Sequence, residues 1–197
     1  TFSQFFRLEN DIRYKTQLSP KVTWANRAIV GLGISYGSSY FLPYGYQFFV
    51  GGNNSIRSFL ARGVGPGIYK HTNSVAGQFV GNNNGDIKIE LNTEMRYKLN
   101  GFFSPALFVD AGNIWMYKDS YIYGDGALFT KNFYKQFAIG TGIGLRFDLQ
   151  FVIFRIDIAT PLRNPWLADT NPWVISDFKN NKNNGRLVTN IAIGLPF

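Results

Sequence analysis

The chain has no cysteine, which excludes disulfide staples and thiol chemistry and leaves the redox compartment unassigned. It has one histidine, His71, too little for a metal cluster or a serine–histidine–aspartate set. Charged residues make up only 16% of the 197 residues, against about a quarter in an ordinary soluble domain. Long apolar runs are also missing. No stretch approaches the roughly 20 residues that a spanning helix needs, so helical membrane proteins are excluded. No basic-then-apolar leader follows Thr1, so a signal has been removed or the chain is internal to a longer one.

Aromatic residues, by contrast, reach 17%, while the mean hydropathy lies near zero. A transmembrane β-barrel fits this combination, because each of its strands is apolar on one face only. The net charge of +8 is spread along the chain without a dense cluster. It reads as the lining of a lumen and its loops, with no nucleic-acid partner.

Side chains alternate faces along a strand, so a wall between lipid and water shows a period of two. Residues 86–99 show it most clearly. Ile87, Ile89, Leu91, Thr93, Met95, Tyr97 and Leu99 fall on one face, and Asp86, Lys88, Glu90, Asn92, Glu94, Arg96 and Lys98 on the other. Six further segments follow the rule: 2–16, 22–36 (broken by Asn26), 103–115, 133–147, 151–162 and 187–197. In the last of these, Leu187, Ile191, Ile193, Leu195 and Phe197 oppose Asn190, Ala192 and Gly194.

The connections carry a second signal. Short links at Lys21, at Asn100–Gly101 and at 148–150 alternate with long ones at 37–85, 117–132 and 163–186. Outer-membrane barrels have this asymmetry, with tight periplasmic turns and long external loops. Seven strands is an odd count, whereas complete bacterial barrels have an even one. The reading is therefore an all-β, antiparallel transmembrane barrel of which residues 1–197 are the C-terminal part.

Three local patterns point further. They are Gly51-Gly52-Asn53-Asn54-Ser55-Ile56-Arg57-Ser58-Phe59 followed by Gly65-Pro66, then Phe108-Val109-Asp110-Ala111-Gly112-Asn113-Ile114-Trp115, and the ending Asn190-Ile191-Ala192-Ile193-Gly194-Leu195-Pro196-Phe197. Arg57 lies in a loop long enough to re-enter a barrel, and Glu94 and Asp110 face the lumen on consecutive strands. A guanidinium fork suits two carboxylates. By spacing alone the same residues also read as a solvated loop arginine and two ordinary lumen acids.

Together the three patterns resemble the barrel of the BamA and TamA superfamily, the outer-membrane protein insertases. Ile56-Arg57-Ser58-Phe59 is similar to the family's Val-Arg-Gly-Phe loop motif, with serine in place of glycine. Phe108, Asp110 and Gly112 match its Phe-x-Asp-x-Gly strand motif, and Glu94 its acidic strand position. The resemblance implies the last seven strands of a sixteen-stranded barrel in the bacterial outer membrane. It implies that loop 37–85 folds into the lumen, latched through Arg57, Phe59, Glu94 and Asp110. The terminal strand 187–197, with Leu187, Ile191, Ile193, Gly194 and Phe197 as seam and terminal signal, then borders the first strand in a weak lateral seam.

The implied function is insertion of β-barrel proteins, without catalysis, cofactor or metal. The implied partners are outer-membrane lipids, client β-barrel proteins, upstream periplasmic domains and accessory lipoproteins. Two rivals are a two-partner-secretion-type polypeptide exporter and a passive diffusion porin. Among the remaining features, Asp148 and Asp157 beside Arg146 and Arg155 read as a lumen salt network, and residues 63–67 as a turn. Tyr44, Tyr46, Phe48 and Phe49 read as loop packing or an interfacial belt.

Overall fold

The computed structural model describes residues 2–69, 83–118, 123–175 and 187–197; His71 lies outside them. The seven segments of alternating polarity become seven strands: β1 (Phe5–Ser19), β2 (Val22–Ser35), β3 (Ile87–Tyr97), β4 (Phe103–Trp115), β5 (Ala138–Asp148), β6 (Ile153–Arg163) and β7 (Val188–Ile193). They form one antiparallel sheet in sequence order, each strand paired with the next. No α-helix among the described residues is long and apolar enough to cross a membrane.

Several boundaries differ from the sequence reading. Phe133 to Gln136 form a 3-10 turn, not the start of β5. Phe133, Lys135 and Phe137 imitate a period of two, but Phe133 stacks on Phe129 with ring centroids 5.1 Å apart. Phe133 and Phe137 also both pack on the Trp115 ring. The last strand ends at Ile193. Gly194 takes φ of +88°, a left-handed conformation that takes the chain out of the extended form. Leu187 precedes the strand, and Leu195 to Phe197 follow it outside the ladder.

The two faces of the sheet invert the usual order of a soluble protein. Leu107 and Ile193 are 64% and 72% exposed, while Glu94, Asp110, Arg155 and Asp157 are fully buried. A water-soluble sheet would bury its aliphatic face and solvate its ions. Here the ions are covered by the long connection between β2 and β3, which lies against the inner face. The aliphatic rows stay on the outside, as a wall facing acyl chains requires. The outer-face break at Asn26 has a local solution: its Oδ1 accepts from the Thr93 hydroxyl at 2.8 Å, which accepts in turn from the Trp24 indole at 2.8 Å. Satisfying these groups on one another limits the cost of placing them on an apolar face.

A small apolar cluster seats the covering loop. Phe48, Val50, Ile56, Phe59 and Val64 from the loop meet Ile114 of β4 and Ala138 of β5. Phe48 also pairs its backbone with Gly85, fastening the start of the loop to its end. Its neighbours Tyr44, Tyr46 and Phe49 are exposed.

Candidate functional site

Residues 53–58 cross the inner face of the sheet, and almost every polar group they present is met by a strand. Ser55 donates its hydroxyl to Glu90 at 2.7 Å, and its carbonyl accepts from Asn92 at 3.1 Å. The Asn54 carbonyl accepts from Arg27 of β2 at 2.8 Å, and its side-chain oxygen from Arg155 of β6 at 2.6 Å. On the far side, Asn190 of β7 donates to the Arg57 carbonyl at 2.8 Å. The segment thus bridges strands from β2 to β7.

Arg57 is the centre. Its Nε and Nη2 form a two-pronged bond to Asp110, at 2.8 and 2.9 Å, and its backbone N–H adds a third contact to the same carboxylate at 3.1 Å. Nη1 donates to Glu94 at 2.5 Å. The guanidinium carbon lies 3.5 Å from the centroid of the Phe108 ring, so the flat cation is stacked on one face and bonded at its edges. Burial opposes the charge on Arg57, but Asp110 and Glu94 outweigh it and hold the group cationic, above the ordinary arginine range.

The pair of acids extends into a larger network. Glu94 also accepts from Arg96 at 2.7 Å and Arg146 at 2.9 Å, and Arg146 donates to Asp157 at 2.6 Å. Arg155 lies 3.4 Å from Asp157. Arg57, Arg96, Arg146 and Arg155 therefore face Glu94, Asp110 and Asp157 in one dry cluster. An arginine fork can satisfy several carboxylate lone pairs at once, which a lysine cannot. The net stabilisation from such a cluster is small, because desolvation offsets attraction. Removing one member is a different matter, since it strands the rest.

Glycines shape the floor under the loop. A Cβ at Gly140 of β5 would overlap the Ser58 side chain, and one at Gly142 would meet the Phe108 ring at 2.6 Å. Gly112 would strike Ile56 Cδ1 at 3.3 Å and the backbone of β3. The serine that stands where the resembling motif has glycine is therefore accommodated by a missing side chain opposite.

The sequence-derived residues fall in three places. Arg57, Glu94 and Asp110 come together as described. Phe59 stays apart from the acids and packs in the apolar cluster, its ring 5.9 Å from that of Trp166 in an edge-on arrangement. Ile191 and Ile193 lie exposed on the outer face of β7, and Leu187 is exposed just before it. Phe197, placed with them by alternation, turns the other way. Its carbonyl accepts from Arg96 at 3.1 Å, and its ring lies 5.9 Å from the Arg57 guanidinium. The turn at Gly194 is the reason. Asp148 is also corrected: it accepts from the Gln150 N–H in its own turn at 2.9 Å and takes no part in the ion network.

Phe108, Asn53 and Asn190 lie in the quoted motifs but were not placed among the latch or seam residues. Phe108 carries a signal in retrospect, as an aromatic on the charged face of β4. Among the described residues no group of histidine, cysteine, aspartate and glutamate is arranged to hold a metal.

Comparison with known proteins follows the same lines. The model of the Omp85 superfamily domain matches residues 2–177. The fold is similar to the crystal structure of BamA from Haemophilus ducreyi lacking POTRA domains 1-3, with a TM-score of 0.61 and 15% identity over 97% of this chain and 35% of that one. It is also similar to CdiB from Acinetobacter baumannii, with a TM-score of 0.55 and 14% identity over 98% of this chain and 27% of that one. This chain thus spans about a third of the length of these structures or less. No curated protein matches it in sequence.

Proposed function

This chain belongs to the Omp85 superfamily, and on that premise we propose that it is the C-terminal part of a sixteen-stranded barrel that inserts β-barrel proteins into the bacterial outer membrane. Residues 37–85 are the external loop that enters the lumen, 163–186 the last external loop, and 187–197 the terminal seam segment. The observation that carries the reading is the pairing of a firmly held loop with a weak last strand. The loop is anchored by a buried fork and stacked ring at Arg57, whereas β7 has only the residues Val188–Ile193 in its ladder.

A short terminal strand that pairs only weakly with the first strand is a template for strand addition. A client strand that pairs there satisfies its backbone before it meets lipid, where each unpaired group costs several kcal/mol. Gly194 and Pro196 shorten the ladder from below, since one leaves the extended form and the other has no N–H to donate. The latched loop keeps the lumen filled while the seam works. Outer-membrane lipids, client barrels, periplasmic domains and accessory lipoproteins are the partners this role requires, and none of its steps is catalytic.

A cysteine at Val188, crosslinked to one on the first strand of the whole protein, should abolish client assembly while leaving the barrel inserted. Client assembly at the normal rate in the locked protein contradicts the seam mechanism. An exporter also tolerates the lock, because its polypeptide passes through the lumen. A diffusion porin differs in conductance: a large steady pore is its signature, and a loop-filled lumen gives small or erratic currents.

A further inference from the structure

The outer row of β4 changes character at its external end. Leu107 and Val109 are exposed, as a wall facing acyl chains requires, yet Trp115 on the same row is fully buried. Residues 125–137 cover it from the outer side. The rings of Phe129, Phe133 and Phe137 lie 5.4, 6.0 and 6.0 Å from the Trp115 ring, and the indole N–H donates to the Gln136 side chain at 2.5 Å. The strands beneath, β3 to β6, all have both of their neighbours within this chain, so the arrangement is complete as it stands.

The cover is fastened from below. Arg163 of β6, itself buried, donates to the carbonyls of Lys135 and Phe137, and Asn113 of β4 donates to that of Gln136. With Phe133, Gln136 and Phe137 turned to the wall, the remaining side chains of the turn point away from it. Tyr134 is 58% exposed, and Lys131 and Lys135 are exposed on either side of it. The Lys135 ammonium lies 5.8 Å from the centroid of the Tyr134 ring. No aspartate or glutamate occurs from Gly126 to Phe147, and among the described residues neither lysine is in an ion pair.

Two exposed lysines are ordinarily just solvated. These two differ in place, because they stand on the lipid-facing side of the wall, at its external rim, on a rigid base of aromatic rings. Rings at headgroup level and long cationic side chains reaching outward are the residues that settle at a membrane interface. We propose that residues 129–137 seat a phosphate-bearing glycolipid of the external leaflet: Lys131 and Lys135 bond its phosphates, and Phe129 and Tyr134 pack against its sugar and upper acyl carbons. The proposal rests on the membrane wall and its orientation, and is independent of the seam. Charge-assisted bonds to phosphate supply the attraction, and the absence of a nearby acid leaves both ammonium groups available for it. Because the turn is already held by Arg163, Asn113 and Trp115, the lipid meets a formed surface and has no loop to order.

The test uses the full-length protein in bilayers of phosphatidylcholine doped with bisphosphorylated lipid A. Native mass spectrometry after mild detergent extraction counts the lipid A that stays on the protein. Lys131→Gln with Lys135→Gln should lower retention roughly thirtyfold, the scale of two lysines at an anionic surface. Lys21→Gln with Lys98→Gln, the same charge change at the opposite rim, should leave it unaltered. Equal retention in the first variant, or an equal loss in the second, overturns the seat and leaves the wall standing. Phosphatidylglycerol retained as strongly as lipid A at the same dose overturns the choice of a glycolipid. Unaltered protein that fails to enter the bilayer overturns the wall, and the seat with it.

Discussion

At Arg57 the difference between making and breaking an ion pair matters most. A dry arginine between two acids adds little net stability, yet deleting it costs about 3–5 kcal/mol because Asp110 stays buried without its cation. Arg57→Ala should therefore release the loop and make it protease-sensitive while the sheet stays assembled. Arg57→Lys should behave almost as badly, because an ammonium cannot bond Asp110 with two prongs and Glu94 with a third while stacking on Phe108. Loop cleavage at the unaltered rate in either variant contradicts the latch. Ser58 offers a test of shape in place of charge. Gly140→Ala should crowd the Ser58 side chain and loosen the loop by about 1–3 kcal/mol, the usual cost of overpacking. Ser58→Gly in the same chain should restore protection, since the Ser58 hydroxyl has no hydrogen-bond partner among the described residues. If the double variant is no more resistant to protease than Gly140→Ala alone, the fit between these two positions is not what seats the loop.

At the scale of elements, legibility depends on whether neighbours or the local chain decide the conformation. β4 was readable to its ends, because polarity alternates from Phe103 and the Asn100-Gly101 turn punctuates it. The acids that meet Arg57 were readable too, as Glu94 and Asp110 stand on the polar rows of adjacent strands. The start of β5 was not, because Phe133 and Phe137 follow strand periodicity while their contacts with Trp115 and Phe129 favour a 3-10 turn. Phe197 was misplaced for a different reason. Alternation assumes an extended chain, and only the backbone shows that Gly194 abandons it. No atom lies within 4 Å of where a Gly194 side chain would begin, so the turn is a matter of backbone conformation and leaves no packing pattern to read. A cysteine replacing Phe197 should react with a water-soluble reagent many times faster than one replacing Ile191. Equal, slow labelling at both positions would return Phe197 to the lipid face.

For the molecule as a whole, the central claim is that the sheet is a wall with oil outside and an ionic, water-facing interior within. Membership in the Omp85 superfamily and the inverted burial of the two faces are independent of each other and agree on this point. The absence of cysteine makes the claim easy to probe, because any single cysteine can carry a unique nitroxide label. The deciding measurement is collisional relaxation of labels at Leu107, Ile143 and Ile191 on the outer face, compared with Arg13 and Lys15 on the inner face of β1, in the full-length protein reconstituted in bilayers. Labels on the outer face should be relaxed strongly by oxygen and weakly by a water-soluble nickel chelate, and those on the inner face the reverse. Nickel relaxation as strong at Leu107 and Ile143 as at Arg13 would mean that the aliphatic face meets water or protein, and the membrane wall would have to be abandoned.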